Sequence, residues 1–152
     1  MNGTNELGRL CEMLRLLSVV FTSSDTTFAG RPIRIEHDVR RMQHICTYVM
    51  RHYTHTISLN DIAAEVCMNR SAFCSFFKRC KGITFLAYLT AYRIDTACEM
   101  LKTTPLSIAE ICYAVGFNDI PHFNRLFKKA KQLSPRAYRA RFSEPAFNKL
   151  QG

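Results

Sequence analysis

The sequence lacks any apolar run long enough to cross a membrane: the longest, Leu16 to Phe21, is broken by Ser18, against the roughly 20 residues a spanning helix needs. Its seven cysteines, Cys11, Cys46, Cys67, Cys74, Cys80, Cys98 and Cys112, are odd in number and contain no Cys-x-x-Cys pair. No basic-then-apolar leader with a small-residue cleavage site precedes them, so a reducing cytoplasm is the expected location. Most of these cysteines fall within apolar helical segments, where a free thiol is expected to pack as a small hydrophobe. His44, Cys46, His52 and His55 cluster, but their spacing fits no zinc pattern. There is no glycine-rich nucleotide loop and no Ser/His/Asp arrangement, so neither an enzyme nor a cofactor is expected. Strand-like alternation longer than a few residues is scarce as well.

What is present is apolar residue and positive charge. A chain of 152 residues that is 47% hydrophobic suits one domain or two small ones with a packed core. Twenty-one Lys and Arg stand against 12 Asp and Glu, a net +9, which favours a polyanionic partner. Residues 1–35 hold four arginines and three acids, so eight of the nine net charges lie beyond them.

Between Glu6 and Phe21, Leu7, Leu10, Leu14, Leu17 and Phe21 recur at spacings of three and four. That is the seam of an amphipathic helix, which can pack on its own chain, pair with a second copy as a homodimer, or lie against a further N-terminal domain. "TSSDTTFAGRP" then reads as a linker. Residues 1–35 are thus set apart from a globular part, 36–142, and from a tail, 143–152. Beyond Glu36 the period is helical, and it predicts helices near 37–53, 59–66, 70–81, 84–102, 108–115, 120–131 and 135–141. Ser58 with Asp61 and Ser107 with Glu110 follow the Ser-x-x-acid start signal, Asn69 and Asp119 are candidate caps, and Pro105 and Pro135 sit where helices break or begin. The fold class is all-α.

The chain also repeats itself. "SLNDIAAEVCMN" (58–69) aligns with "SIAEICYAVGFN" (107–118) at an offset of 49, and after one inserted residue "FCSFFKRCKGITFLAY" (73–88) aligns with "FNRLFKKAKQLSPRAY" (123–138) at an offset of 50. Each copy is a short helix, a tight turn and a longer helix with basic last turns, the layout of a helix-turn-helix. In the second copy the turn is Val115-Gly116-Phe117, where glycine can take positive φ; in the first, Cys67 holds the glycine position and Met68 the aromatic one, a more strained turn.

Three features point to duplex DNA. The second helix of each copy begins with small or polar residues that fit a major groove. Ser58 and Ser107, at the starts of the first helices, offer N–H groups to phosphate. Lys78, Arg79, Lys128, Lys129 and Lys131 lie where they can meet the DNA backbone. The intervening helix, Thr84–Lys102, would span roughly 28 Å, comparable with the about 34 Å between successive major-groove faces. Such a tandem repeat predicts an asymmetric site. A membrane-surface protein would instead carry one continuous basic helical face. The stripes Phe73, Phe76, Phe77 and Phe123, Leu126, Phe127 read as core. Arg93 and Glu99 read as structural polar links.

The stretch "AYRIDTACEMLKTTPLSIAEICYAVGFNDIPHFNRLFKKAKQLSPRAYR", Ala91 to Arg139, carries I-x-E-I-x-x-x-V-G-F, F-x-x-x-F-K-K and S-P-x-x-Y-R. With these motifs residues 40–142 resemble the DNA-binding domain of the AraC/XylS family of bacterial transcription regulators. The resemblance implies seven helices in two helix-turn-helix subdomains joined by a linker helix, promoter binding, and activation through RNA polymerase. It assigns base-facing roles to Arg70, Ser71, Cys74 and Ser75 on the first recognition helix and to Ile120, Pro121, His122, Asn124 and Arg125 on the second. Gln132, where the family usually has glycine, and Pro121, where small polar residues are common, depart from the pattern. The short side chains of the first helix suggest that it reads fewer bases. Family members often carry a sensor domain ahead of these helices, so a truncated or short form is expected here. The same module can also be joined to a cysteine methyl acceptor in DNA repair. That alternative, a cysteine-based repair or redox-sensing protein, requires an activated thiol.

Overall fold

The computed structural model describes residues 32–142, with side chains from Glu36 onward. The expected N-terminal seam of Leu7, Leu10, Leu14 and Leu17 and the tail lie outside the described residues. Those described form seven helices and no strand: α1 (Pro32–His52), α2 (Leu59–Glu65), α3 (Arg70–Lys81), α4 (Phe85–Thr103), α5 (Ile108–Ala114), α6 (Ile120–Lys131) and α7 (Pro135–Phe142). Six of them start and stop within one residue of the expectation. Helix α1 opens at Pro32, five residues earlier than expected, because proline in a first turn forfeits no intrahelical bond. The "GRP" segment read as linker therefore ends inside a helix start.

The described chain divides into two compact units, residues 32–52 with Ile57–Phe85 and Tyr53–Thr56 with residues 86–142. In the first unit, Met42, Ile45, Cys46 and Val49 of α1, Ile62 and Ala63 of α2, and Phe73, Phe76 and Phe77 of α3 are buried. Phe85 meets Phe73 and Phe77 edge-on at 5.4 and 5.5 Å between ring centroids, a geometry worth about 0.5–1.5 kcal/mol beyond the area buried. In the second unit the core joins Ile94, Ala97, Cys98 and Leu101 of α4 to Ile111 and Cys112 of α5, Val115 and Phe117 of the turn, and Phe123 and Phe127 of α6. Tyr138 of α7 closes over Phe127 edge-on at 5.5 Å. The phenylalanine stripes are thus core, as their spacing implied; Leu126 is only partly buried against it.

Each helix-turn-helix begins with a cap. The Ser58 and Ser107 hydroxyls accept from Asp61 N–H at 3.1 Å and Glu110 N–H at 3.2 Å, and the Asn69 and Asp119 side chains accept from Ala72 N–H at 2.8 Å and His122 N–H at 2.7 Å. Such bonds satisfy donors that have no partner in the first turn.

The turns between the paired helices are built by one hydrogen-bond pattern. Cys67 N–H donates to Ala64 O and Met68 N–H to Ala63 O, both at 2.9 Å; Gly116 N–H donates to Tyr113 O and Phe117 N–H to Cys112 O, both at 3.0 Å. This is the Schellman arrangement, which needs a left-handed residue after the helix. Gly116 supplies it at φ 89° and Cys67 at φ 54°, so the strain expected in the first turn is present as a non-glycine residue held left-handed.

Candidate nucleic-acid interface

With Phe73, Phe76 and Phe77 turned inward, α3 leaves Arg70, Ser71, Cys74, Ser75, Lys78 and Arg79 exposed. The four expected base-facing residues occupy positions i, i+1, i+4 and i+5, one face of a helix. Arg79 lies along the Phe76 ring at 5.6 Å and 3.5 Å from the Asp38 carboxylate. Lys78 is exposed in the last turn of the helix.

On α6 the outward face carries Pro121, His122 and Arg125, with Asn124 half-buried beside them. Ile120 packs against the core and, like Asn124, is only partly exposed. Pro121 sits within the first helical turn, where its missing N–H breaks no intrahelical bond. An Arg125 Nη lies 3.0 Å from His122 Nδ1. Lys128 and Lys129 are exposed. Lys131, expected to face phosphate, pairs with Asp95 of α4 at 2.6 Å and is partly buried, an anchor between helices.

The two short helices differ at their starts. Ser107 and Glu110 form a reciprocal capping box in which Ser107 N–H donates to the Glu110 carboxylate at 2.7 Å. Hydrogen bonds from the Ser107 side chain and then its backbone hold the Glu110 carboxyl below the usual carboxylate range. The N–H of Ser107 itself is therefore already paired within the chain. Ser58 is exposed and caps through its hydroxyl.

A polar clamp invisible in the local sequence supports the second turn. Arg93 of α4 donates through Nε to Tyr53 O and through Nη2 to His55 O, both at 2.8 Å, with its guanidinium 5.7 Å from the Phe117 ring centre. Burial pushes the Arg93 pKa down. The segment so held presses on Gly116: a Cβ there would lie 2.5 Å from Tyr53 O and 2.9 Å from Thr54 O. The sequence assigned Arg93 a structural role but gave no sign that Tyr53 and His55, 40 and 38 residues away, were its partners. Glu99 pairs instead with Lys102 one turn along its own helix, at 2.9 Å. Arg139 of α7 donates to Leu106 O, a second such link.

Cysteine packing is mixed. Cys46, Cys98 and Cys112 are buried as expected, but Cys67, Cys74 and Cys80 are exposed, because they fall in the turn and on the outer faces of the first module rather than on its core stripe. Burial pushes the Cys98 and Cys112 thiols up, and partial desolvation followed by the nearby Asp38 carboxylate does the same at the exposed Cys80, the direction opposite to activation. The histidines near α1 have separate neighbours: His44 meets Glu65 at 3.4 Å, His52 stacks on Tyr48, and His55 meets Thr54. Among the described residues no helix is long and apolar enough to cross a membrane.

Known proteins share this arrangement. A helix-turn-helix domain family matches residues 62–141, just over half of the chain. The arabinose operon regulatory protein of Escherichia coli is 33% identical over 101 residues, 66% of this chain and 35% of that protein. A transcriptional regulator from Chromobacterium violaceum with an AraC-type DNA-binding domain superposes with TM-score 0.65 at 26% identity, over 70% of this chain and 95% of the other. The DNA-binding domain of AdpA, a global transcriptional factor, solved with a target DNA, superposes with TM-score 0.62 at 25% identity, over 71% and 95% of the two chains. This chain spans about a third of the length of the full-length regulators it matches. On the doubled module, the shared turn geometry and these matches together, the chain belongs to the AraC/XylS family of transcriptional regulators and carries that family's double helix-turn-helix DNA-binding domain.

Proposed function

We propose that the protein binds promoter DNA sequence-specifically and regulates transcription, as an activator that contacts RNA polymerase, with α3 and α6 each entering a segment of major groove. The observation that carries this reading is the pair of modules with the same hydrogen-bonded turn, each turning its aromatic stripe inward and leaving a polar face that ends in exposed cations. Base contacts fall to Arg70, Ser71, Cys74 and Ser75 on α3 and to Pro121, His122, Asn124 and Arg125 on α6. Arg125 can donate to guanine O6 and N7, and Asn124 can pair with adenine. Lys78, Arg79, Lys128 and Lys129 meet phosphates. The target DNA bound by the AdpA domain supports the assignment by likeness of fold. The family resemblance is the ground for activation, and the spacing of Leu7, Leu10, Leu14 and Leu17 is the ground for homodimerisation through that seam.

Selection of bound sequences from a random duplex pool tests the proposal. It should recover an asymmetric motif, and Arg125→Ala should relax the preference at one position by about 1–3 kcal/mol. Lys128→Ala should weaken all sequences alike and lower the salt slope by about one phosphate contact. Recovery of no motif, or affinity indifferent to salt, would overturn the reading.

A further inference from the structure

We infer that His122 is a positioning residue that holds Arg125 as a donor-only reader of the guanine of a G·C pair. The inference rests on the reading of α6 as a groove-entering helix. One ring contact orients the imidazole, and two backbone bonds place the residues that make it. The His122 ring packs edge-on against Phe117 with centroids 6.3 Å apart, the His122 backbone N–H is capped by the Asp119 carboxylate at 2.7 Å, and Phe117 is itself placed by the bond its N–H makes to Cys112 O. Arg125, one turn on, brings an Nη to 3.0 Å from Nδ1 of that ring. A guanidinium has no lone pair to offer, so Nδ1 must be the acceptor and the ring proton sits on Nε2.

Two consequences follow from that tautomer. Arg125 spends one of its five N–H groups on the imidazole and keeps the others, so its free edge carries donors and no acceptor. Guanine offers O6 and N7, two acceptors, to the major groove, whereas cytosine N4 and adenine N6 are donors that the guanidinium would repel. The second consequence is preorganisation: a long, exposed side chain loses rotamer freedom before DNA arrives, and less on binding. The first module has no counterpart, since Ala72 and Ser75 align with His122 and Arg125 at the offset of 50.

The test uses the full chain and duplexes in which the selected G·C pair is replaced by A·T, with preference read as the ratio of dissociation constants. The variants are Arg125→Ala, His122→Ala, His122→Asn and the double substitution Arg125→Ala with His122→Ala. Circular dichroism and thermal melting check that each is folded; alanine is the residue the first module already carries at this position. We expect Arg125→Ala to lower the preference by about 10- to 100-fold, and His122→Ala by roughly two- to tenfold. His122→Asn should restore it, because the amide oxygen takes the place of Nδ1, and the double variant should be no worse than Arg125→Ala alone. Losses that add in the double variant, with no rescue by asparagine, would mean that His122 reads a base of its own and would overturn the inference. So would an unchanged preference in His122→Ala alongside a loss in Arg125→Ala, a result that leaves α6 in the groove. An unchanged preference in Arg125→Ala would remove both the inference and the groove role of Arg125.

Discussion

The two helix-turn-helix modules need a left-handed residue at the same two places, the turn between the helices and the end of the second helix, and they divide glycine between those places in opposite ways. The first module has Cys67 in its turn at φ 54° and Gly82 after α3 at φ 73°; the second has Gly116 in its turn at φ 89° and Gln132 after α6 at φ 59°. The hydrogen bonds are the same in both, with Gly82 and Gln132 donating to Lys78 O and Lys128 O at 2.8 and 2.9 Å. Left-handed backbone therefore does not by itself demand glycine here. At Gly116 the demand comes from space, since the Tyr53–Thr54 backbone leaves no room for a Cβ, whereas nothing lies within 4 Å of one at Gly82. Gln132 also offsets part of its strain by donating from its side chain to Lys129 O at 3.0 Å.

The sharpest way to break this comparison is to add one methyl group at each glycine. Gly116→Ala should destabilise the second unit by about 2–4 kcal/mol, combining left-handed strain with backbone overlap, and Gly82→Ala should cost only about 1 kcal/mol. Hydrogen exchange of peptides from each unit would separate the two, and equal losses would show that space plays no part. Arg93→Met comes next. It removes the donors to Tyr53 O and His55 O, for a loss of roughly 1–3 kcal/mol, and Gly116→Ala in that background should then add less than its single effect. Full additivity, read from urea midpoints, would mean that the clamp and the close approach are independent.

The converse substitutions are gentler. Cys67→Gly should be neutral to stabilising by up to about 1 kcal/mol, the relief of strain being partly cancelled by the freer unfolded chain. Gln132→Gly should gain less, because it also deletes the bond to Lys129. A larger gain at 132 than at 67 would reverse the assignment of strain. The smallest effect expected is pH dependence at the start of α5. The Glu110 carboxyl is held below its ordinary 4.5 by its bonds with Ser107. Its contribution is therefore complete above that value and is lost as pH falls through the lower folded one. Glu110→Ala should flatten that portion of an acid titration of stability, and an unchanged profile would show that the capping box adds nothing.

What could be read locally was read well. Six helices, four caps and the phenylalanine stripes all depend on residues within a turn or two of one another, so periodicity and start signals carry them. Cys80 shows the limit of that approach. An apolar neighbourhood in sequence suggested burial, yet it lies on an outer face of α3. The approach of Arg125 to His122 spans only three positions and could have been drawn from helical spacing. The reason the imidazole is fixed, its packing on the Phe117 turn, could not.

The sequence by itself determined that this is a doubled helical module with two outward polar faces and basic helix ends, because the repeat and the 3.6-residue period are properties of order along the chain. Only the tertiary structure decided which partners the long basic side chains meet. Lys131 pairs with Asp95, Arg93 with the carbonyls of Tyr53 and His55, and Arg139 with that of Leu106, partners 33 to 40 residues distant. No spacing rule relates residues so far apart. Their meeting is fixed by how the helices pack, and packing depends on the whole core rather than on any one stretch of chain.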